Sequence, residues 1–150
     1  SQETNVKKFL IIESKFYQKI AELSLSAAES CLEQIIPKEF NLKTASVPGV
    51  MEIPAALNFY VQSAQAEHNF DAFVVLGCVI RGETSHHEHV ARECMRGLTD
   101  LCLKHSLALG NGILTCENYE QALKRAEKKG HAAAHAANYM LRERIRTLGP

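Results

Sequence analysis

Apolar residues along this chain come in two alternating textures: short continuous runs, and longer stretches in which they recur every three or four positions. The short runs predict strands over 6–12, 42–47, 72–80 and 109–115. The third contains Phe73-Val74-Val75-Leu76 with no polar residue among them, the pattern of a strand buried on both faces. The longer stretches predict helices. Residues 16–35 repeat apolar side chains at Ile20, Leu23, Ala27, Cys31 and Ile35. Residues 54–66 start with a proline in the first turn, where its missing N–H does no harm. Residues 87–105 place Val90, Cys94, Leu98, Leu101 and Cys102 on one stripe. Two more helices, 119–128 and 131–147, are predicted with a division at Gly130.

Strands alternating with helices imply crossover connections, and short right-handed crossovers favour an α/β fold with a parallel sheet. The expected architecture is a three-layer αβα sandwich around four parallel strands. No internal repeat, low-complexity stretch or linker divides the chain, so residues 1–150 read as a single domain. In such folds ligands bind beyond the carboxyl ends of the strands. The segments after Ile12, Val47, Ile80 and Thr115 are therefore the places to look.

Composition narrows the partners. A chain of 150 residues with 46% hydrophobic side chains can bury a normal core, and its 17 basic residues balance its 17 acidic ones. That balance gives no positive field to hold nucleic acid or an anionic membrane surface, so any bound anion must be gripped locally. The apolar run Phe9-Leu10-Ile11-Ile12 is too short for a signal-peptide core, and no later segment approaches a membrane span. These features predict a cytoplasmic protein. The five cysteines are odd in number, lie in apolar runs and form no C-x-x-C pair, as expected of reduced, mostly buried small hydrophobes.

The segment from Leu76 to Val90 passes from the buried strand through Arg81-Gly82-Glu83-Thr84-Ser85 into a helix. Ser85 and Glu88 have capping-box spacing, which predicts a helix beginning at His86. Free amides of residues 82–85 at that positive helix end suit a phosphate, although an ordinary capped helix has the same spacing. A histidine at this turn, His86, is a residue type suited to general acid or base work near neutral pH. The crowding of His86, His87 and His89, and the i, i+4 pair His131 and His135, raise the alternative of a metal site. Without H-E-x-x-H or a cysteine pair, and with consecutive histidines pointing apart on a helix, no metal is expected. His131 and His135 read as surface or subunit-contact residues. A second segment, Val47-Pro48-Gly49-Val50-Met51-Glu52-Ile53-Pro54, holds a lone acid where it either grips ligand hydroxyls or caps a helix. In a third, 114–126, Arg125 belongs to a charged run that by spacing alone is a solvated helix face.

Five collinear stretches resemble the lumazine synthases. They are Glu13-Ser14-Lys15-Phe16, V-P-G-x-x-E-I-P, G-x-V-I-R-G-x-T-x-H, G-I-L-T-x-E-N-x-E-Q-A-x-x-R-A, and the alanine-rich final helix, together spanning nearly the whole chain. The resemblance implies a flavodoxin-like fold and a transferase of riboflavin biosynthesis. Its reaction condenses 5-amino-6-(D-ribitylamino)uracil with 3,4-dihydroxy-2-butanone 4-phosphate, releasing phosphate and water. By the same resemblance Phe16 would stack on the pyrimidine, and Val50, Met51, Glu52, Cys78, Val79 and Ile80 would contact the pyrimidine and its ribityl chain. Glu83, Thr84 and Arg125 would bind the phosphate, and His86 would transfer protons with Glu88 as helper. Asn111 holds a position often taken by an aromatic beside the pyrimidine, and Lys129 matches a family lysine. Lys15 replaces a usual arginine, Cys78 a common threonine, and the loop 127–130 is shorter than the family's basic loop. No cofactor is implied, since the pyrimidine brings its own amine. The family forms pentamers, in some members packed into a shell of sixty subunits, and riboflavin synthase is an implied partner. Residues matching Phe16, Glu52 and His86 there come from one subunit, and those matching Asn111 and Arg125 from its neighbour. The alternatives are a flavin- or lumazine-binding protein that lost catalysis, and a phospho-receiver domain, which the missing acidic cluster at the strand ends disfavours.

Overall fold

The structure is a computed structural model that describes residues 6–150. Four strands, β1 (Lys7–Ser14), β2 (Phe40–Val47), β3 (Ala72–Ile80) and β4 (Leu109–Cys116), form one sheet in the order β2-β1-β3-β4. Every pairing is parallel. Four helices connect and follow them: α1 (Gln18–Ile35), α2 (Ile53–Gln62), α3 (His86–His105) and α4 (Tyr119–Leu148). A 3-10 turn, Val50–Glu52, leads into α2, and a second, Ala66–His68, precedes β3.

The period-two alternation of the strands decides which helix lies on which face. Phe9, Ile11, Val74 and Leu76 point to one side and pack with Ala28, Cys31 and Leu32 of α1 and Ala133, Ala134, Ala137 and Leu141 of α4. Leu10, Ile12, Phe73 and Val75 point to the other and pack with Ile53 and Leu57 of α2 and Cys94 and Leu98 of α3. The result is the expected three-layer sandwich, with α1 and α4 on one face and α2 and α3 on the other. Strand β3 is buried on both faces as its composition predicts. All five cysteines are free thiols; four are buried and Cys102 is half-buried.

Two elements depart from expectation. Strand β1 runs two residues past Ile12, burying Glu13 to 3% exposure. This polar extension is sustained by a hydrogen bond from the Ser46 hydroxyl to the Glu13 carboxylate, 3.2 Å, on the adjoining β2. The larger departure is α4, one uninterrupted helix of 30 residues where two helices and a short loop over 127–130 were expected. Gly130 sits inside it. A Cβ there would collide with the backbone carbonyl of Ser24 in α1, so the glycine serves close packing of two helices and marks no break. One turn earlier the Ser24 hydroxyl donates to the Ala126 carbonyl, 3.1 Å, binding the same two helices. A Cβ at Gly110 of β4 would likewise strike the Ala133 carbonyl, which brings α4 directly onto the sheet. No helix of the described residues is long and apolar enough to cross a membrane.

Candidate active site

Three of the four segments singled out at the strand ends converge on a cleft of about 310 Å³. Phe16 and Tyr17 enter it after β1, Gly49 and Val50 after β2, and Cys78, Val79 and Ile80 at the end of β3. Gly82, Thr84, His86, His87 and Val90 close it from the turn into α3. The end of β3 is tied to that of β4 by a bond from the Arg81 amide to the Cys116 carbonyl, 2.9 Å. Beyond it the chain projects into solvent, and residues 82–86 are all exposed.

The amides of Gly82, Glu83, Thr84 and Ser85 donate to no protein acceptor among the described residues. They stand free beside the N-terminus of α3, where unpaired N–H groups and the helix dipole favour an anion. The helix begins at His86 as expected, but the capping box does not form. Ser85 adopts φ −79° and ψ 6° instead of an extended conformation, so its hydroxyl makes no bond to the helix amides and lies 3.4 Å from His89 Nε2. Thr84 organises the turn in its place. Its hydroxyl accepts from the His86 amide, 3.3 Å, and its carbonyl lies 3.1 Å from His87 Nδ1.

The remaining walls are largely apolar. Phe16 is 71% exposed and leans edge-on against Tyr17, ring centroids 4.9 Å apart, leaving a face of the ring open. Burial, with the Cys78 sulfur as second cause, pushes the Tyr17 phenol up from its ordinary value. Burial also drives the Cys78 thiol up to about 12, so the floor of the cleft stays uncharged near neutral pH. Such a site can stack a planar heterocycle on Phe16 and present amide donors to an anion. His86 lines the same cleft, beside the turn that carries those amides.

The other predicted residues are distributed as follows. Met51 and Glu52 are exposed at the rim, on the 3-10 turn behind Val50. Glu52 occupies the N-cap of α2, yet its side chain makes no capping bond, which leaves the carboxylate free. Glu83 is exposed on the turn. Glu88 approaches His87 rather than His86, with 3.8 Å between its Oε1 and His87 Nε2. Asn111 lies on β4 outside this cleft, its Nδ2 donating to Met95 Sδ (2.9 Å) and its Oδ1 accepting from the Ile113 amide (3.0 Å). Arg125 is exposed on α4 with no ion-pair partner among the described residues, and the half-buried Lys129 follows one turn on. Neither lines the cleft. His131 and His135 are exposed on α4 with ring centroids 6.5 Å apart, in keeping with surface residues. Among the described residues no three His, Cys, Asp or Glu side chains gather into a metal-binding group. Sequence reasoning passed over Tyr17 and His87 as cleft residues. Their signal was adjacency: each follows a residue already singled out, Tyr17 just before α1 and His87 in the first turn of α3.

The chain matches the family model described as 6,7-dimethyl-8-ribityllumazine synthase over residues 6–144. It is 47% identical over 136 residues to a protein of that name from Bartonella tribocorum, covering 88% of this chain and 86% of the relative. It is 43% identical to one from Azorhizobium caulinodans over 94% of this chain and 88% of the relative. With one from Sphingopyxis alaskensis the identity is 46%, over 88% of this chain and 91% of the relative.

Proposed function

The chain belongs to the 6,7-dimethyl-8-ribityllumazine synthase family, and from that premise we propose how its cleft works and how its subunits assemble. It is an enzyme of riboflavin biosynthesis that condenses 5-amino-6-(D-ribitylamino)uracil with 3,4-dihydroxy-2-butanone 4-phosphate. We read it as a transferase formed by a single domain. Phe16 stacks on the pyrimidine, while the walls at Val50, Met51, Glu52, Cys78, Val79 and Ile80 hold the ring and its ribityl chain. The amides of residues 82–85, with Glu83 and Thr84 on the same turn, receive the phosphate. The substrate's own amine attacks the ketone, so no enzymic lysine is needed to form the imine. Loss of phosphate, ring closure and loss of water then require proton transfer, which His86 supplies. Holding both substrates in contact contributes the rest, since orientation alone is worth up to about 7–11 kcal/mol.

The observation that carries this reading is the meeting of Phe16, Thr84 and His86 in one cleft at a turn of free amides, while Asn111 and Arg125 lie outside it. A phosphate site served by amides alone lacks its countercharge. We propose that Arg125, with Asn111 and Lys129, completes the cleft of an adjacent subunit in a head-to-tail pentamer. The unpaired thiols fit a reducing cytoplasm. Riboflavin synthase is the partner that takes up the product. The N-terminal segment 1–8 and the region after Arg125 are where pentamers and shells would diverge; residues 1–5 of that segment lie outside the described residues. A non-catalytic, ligand-binding role has no observation in its favour.

Co-assembly of two damaged chains tests the shared site. If His86→Ala and Arg125→Ala subunits are mixed before assembly, random placement in a ring leaves roughly a quarter of the sites with both residues intact. Lumazine fluorescence well above the sum of the two variants is the expected result. Confirmed co-assembly without rescue would mean that both residues serve one subunit.

A further inference from the structure

The exposed turn of residues 82–85 offers four free amides, yet nothing in its own main chain holds them in place. Main-chain bonds flank it, from the Arg81 amide to Cys116 and from the Glu88 amide to Ser85, and none spans it. A Cβ at Gly82 would meet nothing within 4 Å, so packing does not shape the turn there. The serine expected to cap the helix does not do so. What fixes the turn therefore has to be a side chain. The shortest such contact is His87 Nδ1 to the Thr84 carbonyl, 3.1 Å. His87 is also the half-buried member of the histidine cluster, its side chain 20% exposed, while His86 and His89 are open to solvent.

A carbonyl oxygen can only accept, so in this contact Nδ1 carries the proton and donates it. Nε2 faces the other way, toward Glu88 Oε1 at 3.8 Å. The ring is thus braced on one side by the turn and on the other by α3, and it forms part of the wall of the cleft. We propose that His87 is a positioning residue for the phosphate subsite: its Nδ1–H fastens the Thr84 carbonyl and so aims the free amides of the turn at the sugar phosphate. This rests on the reading of the turn as the phosphate site. Proton transfer remains with His86, one residue back on the exposed side of the same helix turn. His87 acts only through the main chain it holds.

The chemistry specifies the variants. His87→Phe keeps the ring and loses the donor. His87→Asn loses the ring and keeps a donor, since the Asn side-chain nitrogen occupies nearly the position of Nδ1. A neutral hydrogen bond that orients a site is worth roughly three- to tenfold in binding. His87→Phe is expected to raise KM for the butanone phosphate, and the inhibition constant of inorganic phosphate, by that factor. It should leave kcat and KM for the pyrimidine near their original values, and His87→Asn should restore most of the loss. Hydrogen exchange of the peptide covering residues 82–86 should accelerate in His87→Phe alone, and thermal melts confirm that both variants fold. If phosphate competes normally in the parent but His87→Phe leaves both constants unchanged, the positioning role is wrong and the phosphate site stands. The role also falls if kcat drops in its place or if Asn fails to rescue. If phosphate does not compete with the butanone phosphate even in the parent chain, the phosphate site itself is misplaced and this inference falls with it.

Discussion

Gly130 in the middle of α4 lies against the backbone carbonyl of Ser24 in α1, close enough that no side chain fits between them. The Ser24 hydroxyl reaches the Ala126 carbonyl one turn away at 3.1 Å, so the crossing of the two helices is fastened beside the contact. Replacing Gly130 with alanine sets two effects against each other. Alanine favours a helix interior by about 1 kcal/mol, while forcing a methyl group into a filled contact costs about 1–3 kcal/mol. Gly130→Ala is expected to be a net loss of up to about 2 kcal/mol, read as a lower melting temperature. A variant as stable as its parent would mean that the helices separate freely.

His86→Ala should reduce turnover by about 10²-fold, the usual size of a general acid–base contribution. Both Michaelis constants should change little, because the stacking face and the amide turn are untouched. Steady-state lumazine formation measures this directly, and undiminished turnover would remove His86 from proton transfer.

Inorganic phosphate should compete with the butanone phosphate and not with the pyrimidine. Arg125→Ala should weaken that competition, and Lys124→Ala, its exposed neighbour on α4, should not. Equal behaviour of the two variants would reduce the role of Arg125 to general electrostatics.

Alkaline pH should destabilise the fold. Burial raises the thiols of Cys78 and Cys94 from 9.0 to about 12, and those of Cys31 and Cys102 in the same direction. A group whose folded pKa lies above its unfolded value contributes stability that is complete below the unfolded pKa and lost as pH rises through the folded one. Denaturation midpoints should therefore hold up to pH 9.0 and fall between there and about 12, and Cys94→Ala should flatten part of that fall.

The sheet was legible in the sequence because a parallel strand buried on both faces must be apolar throughout, and the 72–80 run has no other use. Gly130 misled because a glycine that breaks a helix and one that admits a neighbour look alike in one dimension; what separates them is Ser24, over a hundred residues away. The capping box over Ser85 and Glu88 failed for a related reason. The spacing was present, but Ser85 does not adopt the extended conformation a capping hydroxyl needs, and spacing alone carries no information about backbone conformation. Phe16, Val50, Cys78 and His86 came together because each follows or ends a strand of one parallel sheet. Arg125 and Asn111 were assigned by resemblance alone, and no property of a single chain brings them to its own cleft.

The contacts at Gly110 and Gly130 divide the molecule mechanically. There main chain meets main chain, and no rotamer change absorbs a shift of α4 against β4 or α1. A helix so seated is a stiff post of about 45 Å. The 82–85 turn is the opposite, held by side chains with no main-chain bond across it. A substrate adjustment confined to that turn would leave in place the post that carries Arg125. In the proposed ring, a subunit built this way would bind and release its ligands without reporting the event to its neighbours, so that sharing residues between subunits would leave the sites independent.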